Sequence, residues 1–244
     1  MIKFFRHIRH SLIQKNQMGK YFKYAIGEIL LVVIGILIAL QINNWSDKSK
    51  LMEQEKVYLK QLLHDFMANK EGISYFKKAY EGELKHLDVI LRHTGPNVEI
   101  PSDKIFDSIQ NLNTPNVELL YATTETQTDL NLDLISNNNL KQTIKRFPIT
   151  YKFYDGNERG LDELVIEQRK IHQQYIPLII NENKNYGQEF HPIDTVGFLR
   201  NKEFQNITVD RLWVTRTAIN RLKSVEQHND SIVKLIEIEL SKHD

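Results

Sequence analysis

Hydrophobic residues are distributed along this chain in two different ways. From Tyr24 to Trp45 they are nearly continuous, YAIGEILLVVIGILIALQINNW, and Glu28 is the only charge. As a helix rising about 1.5 Å per residue this stretch reaches roughly 33 Å, enough to cross a hydrocarbon core of ~30 Å. Beyond Asp47 the apolar positions become periodic. Leu59, Phe66, Ile73, Tyr80 and Leu87 recur every seven residues, and Leu62, Asn69, Phe76, Glu83 and Ile90 form a second stripe beside them. Leu63, Lys70, Lys77, Leu84 and Leu91 form a third. This is the helical period, and it predicts one helix from Asp47 to about His93. The polar members of the second stripe favour a globular bundle over a coiled coil.

Thr94-Gly95-Pro96-Asn97 is a helix stop. Ser102 is a candidate cap for a short helix carrying Ile105, Phe106, Ile109 and Leu112, which Asn113-Thr114-Pro115 breaks. A Thr-rich passage follows, with a new start near Asn138 or Asn139. Residues 140–154 are predicted helical, kinked or broken at Pro148. Leu161, Leu164, Val165, Gln168, Ile171, Tyr175 and Leu178 mark the next helix, and NENKNYGQEFHPIDT (181–195) a loop. In the last helix, from about Lys202 to Ser241, Leu212, Ile219, Val233 and Leu240 share one register. Ala218, Leu222, Val225, Ile232 and Ile236 flank it, and Glu226 and Asn229 interrupt it. The expected fold is all-α: an N-terminal transmembrane helix followed by an antiparallel helical bundle with one long membrane-proximal helix.

Charge adds an orientation. The net charge of +1 hides an asymmetry: six of the 32 Lys and Arg lie in residues 1–23, where there is no acid. After residue 46 stand the other 26 bases and 30 of the 31 acids. The positive-inside rule therefore predicts a cytoplasmic tail (1–23), a transmembrane helix (24–45) and an extracytoplasmic domain (46–244). Ile2, Phe5, Ile8 and Leu12 give the tail an amphipathic stripe suited to a lipid surface, or its bases only fix topology. The apolar run exceeds a signal-peptide core and lacks a small-x-small cleavage site, so retention as a signal anchor is expected. A folded domain with excess acid argues against nucleic acid as a partner. The chain contains no cysteine, which excludes disulfides and thiol chemistry.

Within the span, Gly27, Gly35 and Ala39 fall on one stripe with Glu28 nearby. Small residues at that spacing permit close helix packing, and Gly is also simply frequent in membrane helices. These four residues are the candidate membrane-helix contact face. The opening residues MIKFFRHIRHSLIQKNQMGKYFKYAIGEILLVVIGILIALQINNW closely resemble the N-terminus of an uncharacterised family of single-pass membrane proteins of flavobacteria and their relatives. LNLDLISNNNLKQTIKRF resembles a second family stretch, with Asn131 where Gly is more usual. The resemblance implies a location, a bacterial inner membrane with the domain periplasmic, and a helical domain of unknown function. It implies no catalytic residues.

Motifs for chemistry are sparse. The chain has no Gly-rich phosphate loop, HExxH or GxSxG. Glu83-Leu84-Lys85-His86 is a Glu-x-x-His pattern without the second copy that di-iron bundles need. No catalytic, cofactor or metal residue is assigned, and no cofactor is expected. Arg159, Arg169, Arg200, Arg211, Arg216 and Arg221 either line a pocket for an anion or pair with acids on solvated faces. Tyr121, Tyr151, Phe153 and Tyr154 are expected to pack. The function expected is a membrane-anchored interaction or scaffold module, not an enzyme, whose partners are the lipid bilayer and another protein or itself. A ligand-sensing domain signalling through a partner membrane protein is the alternative.

Overall fold

The computed structural model describes residues 18–99, 103–110, 112, 114–177 and 191–242. The expected amphipathic tail helix, the Ser102 cap, the break at Asn113, Leu178 and most of the 181–195 loop lie outside them. The described residues are all-α: α1 (Met18–Arg92), α2 (Asp103–Gln110), α3 (Asn138–Tyr175), α4 (Thr195–Arg200) and α5 (Lys202–Leu240), with single 3-10 turns at Thr126–Asp129 and Leu132–Leu134. The chain divides into two compact units, Met1–Lys56 and Val57–Asp244, and α1 contributes residues to both.

In the first unit α1 shows apolar side chains on every side. Ile29, Leu37 and Ile42 are each about 60 % exposed, and none of the apolar stretch is buried. By length and composition it is the one helix among the described residues able to cross a membrane.

The second unit is a bundle of three long helices. Leu59, Phe66, Ile73, Tyr80 and Leu87 are all fully buried, so the seven-residue line is the core face of α1. In α5 the fully buried line is Ala218, Leu222, Val225, Ile232 and Ile236, while Leu212, Ile219 and Val233 sit at its edge. Phe66 stacks edge-on against Phe147 and Tyr80 against Tyr154, so α1 and α3 run in the same sense. The amide of Asn229 donates to Phe66 O (2.9 Å) and Lys77 meets Glu226 (2.6 Å), so α5 runs antiparallel to both. Residues 93–137 return the chain between the two parallel helices.

The helix ends follow local chemistry. Gly95 adopts φ +138°, open to glycine, and its N–H bonds Leu199 O (3.0 Å). Asn137 caps α3 by accepting from the N–H groups of Asn139 and Leu140, and Asn201 caps α5 by accepting from Phe204 N–H. Asn131 has φ −88°, which any residue adopts, so this turn does not require a glycine.

Helix α3 does not break at Pro148. A proline at this position leaves the carbonyl four residues earlier without its donor. That carbonyl, Ile144 O, accepts from the Gln127 side-chain amide at 2.6 Å. One residue earlier, Thr143 O accepts from His228 Nε2–H (2.8 Å), and His228 Nδ1 then accepts from the Thr150 hydroxyl (2.7 Å). The Gln127 side chain, from outside the helix, thus replaces the donor that the proline removes.

Residues 114–122 form a strap with no helix of its own. Val117 is almost fully buried, so its backbone polar groups need partners. Val117 N–H donates to Glu158 Oε1 (2.7 Å), and Val117 O accepts from the Tyr151 hydroxyl. Tyr80 OH donates to Pro115 O (3.3 Å). Asn69 brackets Leu120, accepting from its N–H (2.7 Å) and donating to its carbonyl (2.9 Å). Tyr121 takes a left-handed φ of 59°, held by its hydroxyl on Asp65 (2.7 Å) and its ring on Phe66.

Replacing Gln127 by Ala should destabilise the second unit by about 1–2 kcal/mol, because it leaves a carbonyl without a donor. In the Pro148→Ala background, where residue 148 regains its N–H, the Gln127→Ala cost should shrink in chemical denaturation. Equal costs in both backgrounds would refute the pairing.

Candidate functional site

At one end of the bundle the three long helices place charged and polar groups in the interior. Arg211 of α5 is 3 % exposed. Its Nη2 donates to Glu83 of α1 and its Nη1 to Gln168 Oε1 of α3. Gln168 Nε2 reaches Thr208 Oγ1 at 3.2 Å, and that hydroxyl donates to Phe204 O (2.8 Å). Burial disfavours the charge on Arg211 while Glu83 supports it, and a guanidinium stays protonated. Glu83, the acid of the Glu-x-x-His pattern, is thereby committed to an ion pair.

Beside this pair opens a cleft of about 220 Å³. Gln168, Arg169, His172 and Arg211 line it with Val165, Phe198 and Phe204. Arg211 Nε is buried and has no hydrogen-bond partner among the described residues. His172 packs edge-on against Phe198, and burial lowers its pKa, favouring the neutral ring at pH 7. The cleft combines apolar walls with donors.

Only two of the six arginines meet here. Arg159 pairs with Asp155 one turn away (2.8 Å), Arg200 donates to Val98 O (2.8 Å), and Arg221 lies 5.6 Å from the centre of the Phe153 ring. Arg216 is exposed. Phe153 itself is 60 % exposed and outside the core, whereas Tyr151 and Tyr154 are buried. A larger cleft, about 620 Å³, borders the strap, but its Asn69 and Tyr121 are already engaged there.

A Cβ added at Gly27 or Gly35 would meet nothing within 4 Å, and Ala39 is exposed. Glu28 is half-buried.

Glu158 was not distinguishable in the sequence. It is 7 % exposed, and burial pushes its pKa up to about 7, with Asp162, Asp155 and Glu118 adding repulsion and the Val117 N–H opposing. The neighbouring Tyr80 is pushed up to about 12, chiefly by burial, while Tyr154 donates to it at 2.7 Å.

A model described as a family of unknown function (DUF6090) matches residues 28–91. The match covers the apolar stretch from Glu28 and α1 as far as Leu91, and stops before α3 and α5. No curated protein matches the chain, and no solved structure matches it.

Arg211→Met should cost about 3–5 kcal/mol by leaving Glu83 buried without its guanidinium. Adding Glu83→Leu should recover part of that loss in a double-mutant cycle. Strict additivity would show that the pair is not coupled. The raised pKa of Glu158 means that the folded state holds its proton more tightly than the unfolded one. Its contribution to stability is therefore complete below about pH 4.5 and is lost as pH rises through about 7. Glu158→Gln keeps the acceptor for Val117 N–H and should flatten this dependence, raising the thermal midpoint at pH 8 by a few degrees. An unchanged pH profile would contradict it.

Proposed function

We propose that this chain is a membrane-anchored helical binding module. In this reading residues 24–45 span a bacterial inner membrane, residues 1–23 remain in the cytoplasm, and residues 46–244 form a periplasmic domain that engages a protein partner. The observation that carries the anchor is the apolar surface of α1 from Ile26 to Ile42, none of it buried. A soluble domain rarely leaves so large a continuous apolar surface in water. Trp45, 72 % exposed at the end of the stretch, suits the interface between lipid and water. The basic tail supports the orientation, since six positive charges precede the span without an acid.

Lateral association is part of the proposal. Gly27, Gly35 and Ala39 leave open space on α1, where a second helix can approach closely. Binding rather than catalysis is favoured by the cleft, because Arg169, Arg211, Gln168 and a neutral His172 are donors suited to holding a ligand.

The chain should stay in the membrane fraction through alkaline carbonate extraction, and deletion of residues 24–45 should release it. A C-terminal alkaline phosphatase fusion should be active. Recovery of the full chain in the soluble fraction would overturn the anchor, and an inactive fusion would overturn the orientation. Gly35→Leu should weaken association measured in membranes, and unchanged association would leave the helix a plain tether.

A further inference from the structure

We propose that the cleft between α2, α3, α4 and α5 binds a small monocarboxylate with an apolar body, the carboxylate held by Arg169 and Arg211. Three observations select this chemistry. The cleft, about 220 Å³, exceeds the ~150 Å³ that accommodates a benzene ring, and Val165, Phe198 and Phe204 supply apolar walls. Arg211 is held in place by Glu83 and Gln168, yet its buried Nε–H has no acceptor among the described residues. A buried donor without a partner is costly, and a carboxylate oxygen would satisfy it.

Charge decides between anions. Glu83 already neutralises Arg211, so among the described residues lining the cleft the uncompensated positive charge is that of Arg169. Arg169 is exposed and has no ion pair among the described residues; one turn away on either side stand Val165 and Gln173, where Arg159 has Asp155. One uncompensated cation matches a monoanion. A phosphate dianion would leave excess negative charge against aromatic walls. His172, neutral at pH 7, adds a hydrogen bond rather than a second charge. The assignment does not depend on the membrane reading, because every residue it uses lies in the bundle.

Calorimetric titration of the full chain in lipid nanodiscs tests it, with benzoate and cyclohexanecarboxylate as probes and benzamide and inorganic phosphate as controls. At least one carboxylate should bind, with benzamide and phosphate at least tenfold weaker. Arg169→Gln, at an exposed position, should weaken the carboxylate about tenfold without moving the thermal midpoint, the loss of one charge-assisted hydrogen bond. Val165→Trp should fill the cleft and abolish binding. The proposal is overturned if neither carboxylate binds, if phosphate or benzamide binds as well, or if both variants bind as the wild type does.

Discussion

A backbone N–H or C=O taken out of water must find a partner, and much of this protein follows from how that demand is met where no helix can meet it. The strap at 114–122 lies against α1 and α3 with Val117 almost fully buried. Its groups are answered by Glu158, Tyr151, Tyr80 and Asn69, all of them side chains of long helices. The carbonyl that Pro148 leaves open inside α3 is answered in the same manner by Gln127. An unmade buried hydrogen bond costs about 1–3 kcal/mol, so several such sites together rival the stability of a domain.

The same economy sets the register of the bundle. Apolar stripes alone would allow the three helices to slide by a turn, since one leucine packs much like another. Asn229 on Phe66 O, Lys77 with Glu226 and Arg211 between Glu83 and Gln168 each fit only one alignment. A buried ion pair adds little net stability compared with packed apolar residues. At the Arg211 end it fixes a guanidinium in place beside a cleft, with an Nε–H that has no acceptor among the described residues.

Much of this was legible in the sequence, and the exceptions have a common cause. The seven-residue line of α1, the stop at Gly95 and the apolar positions of α5 rest on contacts of the residue with its own helix period, which a sequence displays. The continuity of α3 through Pro148 was hidden because the compensating residue, Gln127, lies outside the helix. Asn69, Glu83 and Asn229 stood out as interruptions of apolar stripes, but their partners are 51, 128 and 163 residues away. Among the arginines the local pattern did not discriminate: Arg159 has Asp155 one turn away, but Arg216 and Arg221, which do not line the cleft, lack such an acid just as Arg169 does. Gln168 in an apolar face was a signal, and Glu158 carried none.

Along the strap, buried side chains substitute for secondary structure. Native-state hydrogen exchange of the Val117 and Leu120 amides tests this most directly. Held by Glu158 and Asn69, the two should exchange as slowly as the core amides of α3 around Ile144, although neither belongs to a helix. Exchange of Val117 and Leu120 at the rate of an unstructured loop, with α3 still protected, would contradict it.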